Sequence, residues 1–353
     1  MNEQKKVRGK ARSVVVIAVL CMAAVVLVAA NLAIGAVDIP LREVWNIISD
    51  GEGSGNSAWE LIVMQSRLPL VATAALSGCA LAMAGLLMQT LFNNPLADPS
   101  ILGVSSGASL GVAIVMLLLG GELGTLFGST MGGYVSMLAG AMAGAALILA
   151  MLMLFSSMVK GTAMLLIIGI MISFLASSAI SLLNFFSTQE GVHSYVIWGL
   201  GNFSGVTTGS LPLFSGVILL ALGWSLLLVK PLNALLLGGR YAESLGVNLR
   251  RVRNALLLVA GILTATVTAF CGPIGFIGLV VPHIARLLLN SSDHRVLVPC
   301  TMLAGAVVAL LCQLVSVLPE SVGMIPINAI TPIMGVPIII YIILNRKKIK
   351  YFN

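Results

Sequence analysis

Ten apolar runs dominate the sequence, and each has about the length that a helix needs to cross the hydrocarbon of a bilayer, roughly 20 residues. Backbone N–H and C=O groups find no water at that depth, so such runs must satisfy them internally as helices. We therefore predict an all-α integral membrane protein with about ten transmembrane helices. The predicted spans are residues 13–34, 68–92, 101–119, 131–155, 162–186, 211–229, 255–271, 274–289, 296–318 and 327–344.

Composition excludes a soluble globular protein, in which about 25% of residues are charged. Here 9% are charged and 59% are hydrophobic, with a mean hydropathy of +1.08. The five cysteines occur singly in apolar runs, and no Cys, His, Asp or Glu cluster has ligand spacing, so we expect no metal or cofactor held by the chain itself. The basic residues adjoin apolar runs rather than aromatic residues, which favours membrane lipid and excludes nucleic acid as a partner.

The distribution of basic residues predicts the orientation, because cytoplasmic segments of membrane proteins are enriched in Lys and Arg. If both termini are cytoplasmic, 17 of the 19 basic residues lie inside, and only Arg42 and Arg67 lie outside. We therefore expect one multi-pass transmembrane domain over 1–353, with a basic cytoplasmic tail at 1–12 and a cytoplasmic segment at 238–248. The first run follows basic residues as a signal peptide does, but its apolar length favours a retained helix.

Ten spans form two sets of five, and the odd offset makes the second set run opposite to the first, as in the inverted repeats of transporters. Two irregular spans correspond: the third contains "SILGVSSGASLGV" (100–112) and the eighth contains "CGPIGFIGLVVPHIARLL" (271–288). Such matched irregularities indicate a translocation path. The alternative is that these small residues only allow close helix packing.

The spans contain few groups that could couple transport to an ion gradient. Ion-coupled transporters usually bind the ion on charged groups at membrane depth, and the span centres here contain no carboxylate. His283 and Arg286 are the exceptions, either as a proton relay or with the histidine in a structural role. The chain also lacks a G-x-x-x-x-G-K-[ST] phosphate loop. We therefore expect a partner to deliver the energy, with an ion-coupled secondary transporter as the alternative and an export permease as a further rival.

The segment "GGRYAESLGV" (238–247) is polar and lies between two apolar spans on the predicted cytoplasmic side. Gly246 is expected to end a short helix, with Tyr241 and Leu245 on one face and Arg240 and Glu243 near the other. Such a helix can insert into a groove of a soluble motor, or it can lie on lipid headgroups. The residues alone leave both possibilities open.

Five motifs in order resemble one family, the permeases of ATP-binding-cassette importers for iron-siderophores, haem and cobalamin. The resemblance covers nearly the whole chain. The motifs are "SRLPLVATAALSGCALAMAGLLMQTLFNNPLADPSILGVSSGASLGV" (66–112), "WGLGNFSGV" (198–206), "RYAESLGVNLRRVR" (240–253), "GPIGFIGLVVPHIARLL" (272–288) and "DHRVLVP" (293–299).

This resemblance implies a homodimer in the bacterial cytoplasmic (inner) membrane that imports a bulky metal chelate by alternating access. It also implies two cytoplasmic ATP-binding subunits and an extracytoplasmic binding protein, so that the chain itself is not an enzyme. The residues implied to couple to the ATPase are Arg240, Glu243, Leu245 and Gly246, those of the cytoplasmic gate are Asn94, Pro95, Leu96, Gly161 and Thr162, and Arg67 is implied to dock the binding protein.

Two positions depart from the family's pattern on the outer side. Leu70 stands where many relatives have a second basic residue, and Met324 stands where a glutamate is usual. Docking of the binding protein is therefore expected to use fewer or different charges. The sequence leaves the identity of the chelate open among cobalamin, haem and ferric siderophores.

Overall fold

The computed structural model describes residues 2–35, 37–50, 57–118, 130–159, 161–318 and 323–344, with the side chains of 2–10, 50, 130–132, 342 and 343 excepted. Within these ranges all regular structure is helical. The α-helices are α1 Asn2–Ala33, α2 Leu41–Asp50, α3 Ser57–Leu61, α4 Leu68–Leu91, α5 Val104–Ala113, α6 Thr130–Met158, α7 Thr162–Phe186, α8 Gln189–Gly199, α9 Leu211–Leu227, α10 Val229–Leu235, α11 Gly239–Ser244, α12 Leu249–Cys271, α13 Ile277–Leu289, α14 His294–Val317 and α15 Ile327–Leu344.

Each of the ten predicted spans falls on a helix, which confirms an all-α membrane fold. Among the described residues, six helices are long and apolar enough to cross a membrane, and a seventh span results if α9 and α10, which meet at a bend of 53°, are counted as one. The other three spans correspond to shorter apolar helices, at Val104–Leu118, Ile277–Leu289 and Ile327–Tyr341. Two π-helical turns lie within the helical spans, Ile62–Arg67 before α4 and Ile114–Leu118 after α5.

Two of the predicted boundaries differ from the observed helix starts for reasons that the local backbone shows. Span seven begins at Leu249 instead of residue 255, because the side chain of Asn248 accepts a hydrogen bond from the N–H of Arg251 (3.0 Å) and caps the helix. Span eight begins at Ile277 instead of residue 274. Gly272 (φ +77°) and Phe276 (φ +69°) occupy the left-handed region there, which prevents an earlier helical start.

The chain forms two compact units, and neither is a set of five consecutive spans. Unit 1 comprises residues 1–83, 203–216 and 276–353. In this unit α1 packs on α13 and α14, and α15 packs on the same two helices. The side-chain amide of Asn31 in α1 donates to the carbonyl of Leu310 in α14 (3.1 Å), which joins helices that are far apart in sequence.

Unit 2 comprises residues 84–202 and 217–275, and α5 lies against α6, α7 and α12 within it. The contact of α5 with α6 depends on glycine. A Cβ on Gly111 would lie 1.9 Å from the carbonyl oxygen of Gly140, and one on Gly144 would lie 2.1 Å from that of Gly107. Two glycines spaced by four residues on each helix thus let the backbones touch. The glycines of the third span therefore serve helix packing, one of the two alternatives that the sequence left open.

Candidate functional site

A pocket of about 630 Å³ lies within unit 2, and serine is its commonest lining residue. Its walls come from the 3₁₀ turn Pro99–Leu102, from α5, α7 and α8, and from the loop before α13. We call it the serine pocket. Its lining residues are Ser100, Ile101, Ser105, Ser106, Ser109, Ile170, Ser173, Phe174, Ser177, Ile180, Ser181, Tyr195 and Pro273.

Helical geometry brings the serines to one side. Ser173, Ser177 and Ser181 follow at intervals of four along α7, so they form a row on one face of that helix. The hydroxyls of Ser173 and Ser181 donate to the carbonyls of Gly169 and Ser177 one turn earlier, both at 3.0 Å. The hydroxyl hydrogens of Ser173 and Ser181 are thus used within the helix, while the oxygen lone pairs stay available to the pocket.

Tyr195 and Phe174 are the aromatic residues of the wall, and Tyr195 is the polar one of the two. Its phenol is hydrogen-bonded to the Ser109 side chain, and its ring lies 6.0 Å from that of Trp198, centroid to centroid. Burial raises the pKa of Tyr195, and the hydrogen bond to Ser109 partly offsets the rise. The ordinary pKa of tyrosine is already about 10, so the phenol is neutral at physiological pH.

The serine pocket carries no formal charge on its lining side chains, since none of them is Asp, Glu, Lys, Arg or His. One carboxylate is hydrogen-bonded to a lining residue: Asp98 accepts hydrogen bonds from the N–H (2.8 Å) and the hydroxyl of Ser100. Among the described residues, no group of three His, Cys, Asp or Glu side chains could hold a metal ion. The arrangement therefore suits neutral polar groups rather than metal coordination.

Sequence reasoning did not identify this pocket. It noted "SILGVSSGASLGV" as an irregular stretch, but it assigned no role to its serines or to those of the fifth span. The available signal was the spacing of Ser173, Ser177 and Ser181, because residues four apart lie on one face of a helix.

The residues predicted to couple to the ATPase lie on α11 or directly after it. Ala242 is buried, whereas Tyr241 and Leu245 are 56% and 58% exposed. Gly246 (φ +83°) ends the helix as predicted, and the N–H of Val247 donates to the carbonyl of Ala242 (3.0 Å) in a Schellman arrangement. Both charged members of the predicted set, Arg240 and Glu243, are exposed. The helix thus presents an apolar pair flanked by charges.

A basic residue that the sequence assigned only to topology connects α12 with the end of α6. Arg253 lies in the second turn of α12, and its guanidinium donates to the carbonyls of Ser156 and Val159, the latter at 3.4 Å. The hydroxyl of Ser156 also donates to the side-chain oxygen of Asn254 (2.9 Å). We call these contacts the Arg253 strut. They end at Val159, two residues before the predicted gate residue Gly161.

The predicted gate residues occupy two turns of unit 2. In the first, the side-chain oxygen of Asn94 accepts from the N–H of Leu96 (3.0 Å), Pro95 lies between them, and Leu96 is 49% exposed. In the second, Gly161 is the N-cap of α7 and Thr162 is its first residue. The helical segments that follow the two turns touch, since a Cβ on Gly169 would lie 3.1 Å from the Cα of Leu102. The gating role of these residues stays a prediction.

Arg67, predicted to dock the binding protein, is only 7% exposed. Its guanidinium donates to the carbonyls of Leu32 (2.6 Å), Ala33 (2.7 Å) and Val37, at and just beyond the end of α1. Gly35 makes room for it, because a Cβ there would lie 2.8 Å from the arginine Nη2. The side chain therefore caps a helix in unit 1, and docking stays a prediction.

Other predictions concern residues that the structure buries or leaves outside its described part. His283 and Arg286 are 1% and 6% exposed, which places both in the interior of unit 1. Leu70 is buried and Met324 is exposed. The basic residues at 160 and 346–350 lie outside the described residues, as do the side chains of the tail up to residue 10.

Comparison with known proteins assigns the chain to a family. The profile of the FecCD transport family matches residues 21–345. The chain belongs to the FecCD transport family. The resemblance seen in the sequence motifs is thereby confirmed.

Named relatives of this FecCD protein are import permeases. The chain is 37% identical over 290 residues to the vitamin B12 import system permease protein BtuC of Citrobacter koseri. The alignment covers 82% of this chain and 84% of the relative. It is 34% identical over 343 residues to the hemin transport system permease protein HmuU of Yersinia pestis, and this alignment covers 96% of the chain and 98% of the relative. These matches extend over both compact units.

A solved structure has the same fold. It represents an inward-facing conformation of a transporter assigned to the metal-chelate type of ABC transporters, with a TM-score of 0.79 and 31% identity. The match covers 94% of this FecCD chain and 98% of the other. Neither this structure nor the named relatives favour an ion-coupled secondary transporter.

Proposed function

We propose that this FecCD chain is the membrane-spanning permease subunit of an ATP-driven importer of a bulky metal chelate. The observation that carries the proposal is the near full-length similarity to import permeases, 34% identity over 343 residues in one case. Import in this class implies ATP-binding subunits and a binding protein. We further propose that two copies of the chain form a homodimer and that the pathway runs between them.

The energy would enter through α11. A soluble ATPase subunit offers a place to bury Tyr241 and Leu245, whose exposure on a short polar helix is otherwise unfavourable in water. Arg240 and Glu243 would set the register of that contact, and Gly246 would keep the helix short. The alternative from the sequence, a helix lying on lipid headgroups, provides no route for ATP hydrolysis to act on the permease.

Movement of α11 would reach the gate through the Arg253 strut. The loop after α11 leads directly into α12, and Arg253 fastens the start of α12 to the last carbonyls of α6. The turn that follows α6 contains Gly161 and Thr162. A shift of α11 would thereby be passed to one gate turn, while Asn94, Pro95 and Leu96 form the other, and the cavity would open alternately to each side.

The chain would act as a transport subunit of the inner membrane and leave ATP hydrolysis to its partners. The distribution of basic residues supports a cytoplasmic position for α11 and for both ends of the chain. Arg67 would contribute to docking only through the small exposed part of its side chain, so exposed groups nearby must carry most of that contact. The metal would travel inside its chelate as cargo.

Reconstitution tests the function. The permease, its ATP-binding subunits and its binding protein would be assembled in proteoliposomes, and uptake of labelled cyanocobalamin, ferrichrome, ferric enterobactin and hemin would be measured. We expect uptake of at least one chelate to require ATP hydrolysis and to survive a protonophore. Uptake that collapses with the protonophore while ATP is held constant would contradict the proposal and restore the secondary-transporter alternative.

A further inference from the structure

We propose that the serine pocket is a subsite for the transported chelate and that it selects neutral chelates with amide-bearing rims over anionic ones. This inference rests on the proposed function, because it takes a chelate as the cargo. Two kinds of compound share the chemistry: corrinoids with amide side chains, and ferric trihydroxamates built on amide-containing backbones.

The position of the serines argues for a wet cavity. α7 is one of the helices long and apolar enough to cross a membrane, and Ser177 lies near its middle with its side chain exposed. A serine hydroxyl that donates to its own helix still has lone pairs on its oxygen, and water or a polar cargo can hydrogen-bond to them whereas lipid tails cannot. A row of hydroxyls beside a pocket of about 630 Å³ therefore indicates a polar compartment.

The hydrogen-bonding capacity of the walls suits amides. Several hydroxyls donate within the protein, as Ser173 and Ser181 do to α7 carbonyls, and so offer their lone pairs as acceptors. Ser105 shares a hydrogen bond with Thr268 (3.2 Å), and either hydroxyl can be the donor. Amide groups carry both N–H donors and C=O acceptors, so they can pair with either orientation of a hydroxyl.

Charge argues against anionic chelates. A carboxylate or catecholate rim that leaves water needs a cation or several strong donors, and none of the lining side chains is cationic. A ferric tricatecholate or the propionates of haem would therefore meet an uncompensated desolvation cost, whereas the N–H and C=O groups of a neutral amide rim can be satisfied by the serine hydroxyls.

The remaining walls match the apolar parts of such chelates. Ile101, Ile170, Phe174 and Ile180 alternate with the serines, and Pro273 adds a further apolar face. Pockets of roughly 300–1,000 Å³ hold drug-sized ligands with a few placed polar groups among apolar ones. The serine pocket falls in this range and would hold one face or edge of a larger chelate.

Binding to the purified permease tests the inference without the binding protein's own selectivity. The dissociation constants of cyanocobalamin, ferrichrome, ferric enterobactin and hemin would be measured on the permease–ATPase complex in nanodiscs. We expect cyanocobalamin or ferrichrome to bind at least about tenfold more tightly than either anionic chelate, because the lining offers no cation to an anionic rim. The two neutral probes distinguish a corrinoid from a ferric trihydroxamate cargo.

Variants of one residue connect the preference to the pocket. Ser177→Ala should weaken binding of the preferred neutral chelate by about three- to tenfold. Ser177→Lys should shift the preference toward ferric enterobactin by introducing a cation. The matched controls are Ser178→Ala and Ser178→Lys, since Ser178 is the next residue of α7, is exposed and does not line the pocket. The controls should leave the dissociation constants of the neutral chelate and of ferric enterobactin unchanged.

The outcomes separate the two proposals. If ATP-dependent uptake occurs but the anionic chelates bind more tightly, or if Ser177 variants behave like Ser178 variants, the subsite is wrong and the importer stands. If no chelate is taken up with ATP, the proposed function itself fails. Neutral-chelate preference that is lost in Ser177→Lys and kept in Ser178→Lys supports the subsite.

Discussion

Arg67 reaches the end of α1 and binds carbonyl groups that the helix cannot satisfy itself. Replacing it with Gln keeps an amide donor but removes the charge and most of the donors. We expect Arg67→Gln to lower the free energy of unfolding by about 2 kcal/mol, as for loss of charged hydrogen bonds in a largely buried site. Thermal unfolding in detergent measures this. Arg42→Gln is the control, because Arg42 is exposed; equal stability of both variants would contradict the capping role.

The docking prediction for Arg67 can be tested with the same pair. A docking role predicts that Arg67→Gln raises the dissociation constant of the binding protein by several-fold at low salt, because charges across an interface accelerate association. Arg42→Gln reports the effect of losing an exposed charge on the same predicted side. Unchanged affinity in Arg67→Gln would leave the residue with its structural role alone.

Gly111 allows the backbones of α5 and α6 to touch. A Cβ there would lie 1.9 Å from the Gly140 carbonyl oxygen, so Gly111→Ala must force the helices apart. We expect a loss of about 2 kcal/mol in stability from overpacking, measured as a lower melting temperature. Gly223→Ala is the control, since a Cβ at Gly223 meets nothing within 4 Å; it should be neutral or slightly stabilising because alanine favours helix.

The contact of α11 with the ATPase subunit is predicted to use its exposed apolar pair, Tyr241 and Leu245. Leu245→Asp places a charge in the contact with the ATPase subunit and should release that subunit from the purified complex. Ser244→Asp introduces the same charge one residue earlier, on an exposed side chain outside the apolar pair, and should retain it. Co-purification ratios measure both. Wild-type ratios in Leu245→Asp would refute the coupling assignment.

The Arg253 strut joins two helices, and its loss should separate ATP hydrolysis from transport. Arg253→Met preserves the length of the side chain but donates no hydrogen bond to the end of α6. We expect the ATPase subunits to remain bound and to hydrolyse ATP, while chelate uptake per ATP falls by about tenfold, the equivalent of one charged hydrogen bond. Arg251→Met is the control, because Arg251 is exposed on the same helix. Unchanged uptake per ATP in Arg253→Met would exclude the strut from coupling.

The orientation of the whole chain follows from its basic residues. If α11 is cytoplasmic, a cysteine introduced as Ser244→Cys should react with an impermeant maleimide only after the cells are permeabilised. Ser57→Cys, on the exposed start of α3, should react in intact spheroplasts. Accessibility measured by gel shift decides both positions, and the native cysteines are first replaced with serine or alanine. The reverse pattern would overturn the predicted orientation.

Much of the fold could be predicted because a membrane span depends on the hydropathy of about 20 consecutive residues, which the sequence shows directly. The ten spans, the Gly246 helix stop and the family motifs were all recognisable in this way. Boundaries failed where local backbone geometry decided them, as at Asn248 and Phe276. The division into two interleaved units could not be predicted, because it depends on which distant helices pack together.

The sequence by itself determined the class of protein, the spans and the family, because apolar length and motif order are properties of neighbouring residues. Only the tertiary structure decided which side chains meet. It paired Arg67 with carbonyls of α1, Gly111 with Gly140, and Arg253 with the end of α6. It also brought serines from α5 and α7 around one pocket. These contacts join residues distant in the chain, and their geometry arises from close packing, which no local pattern encodes.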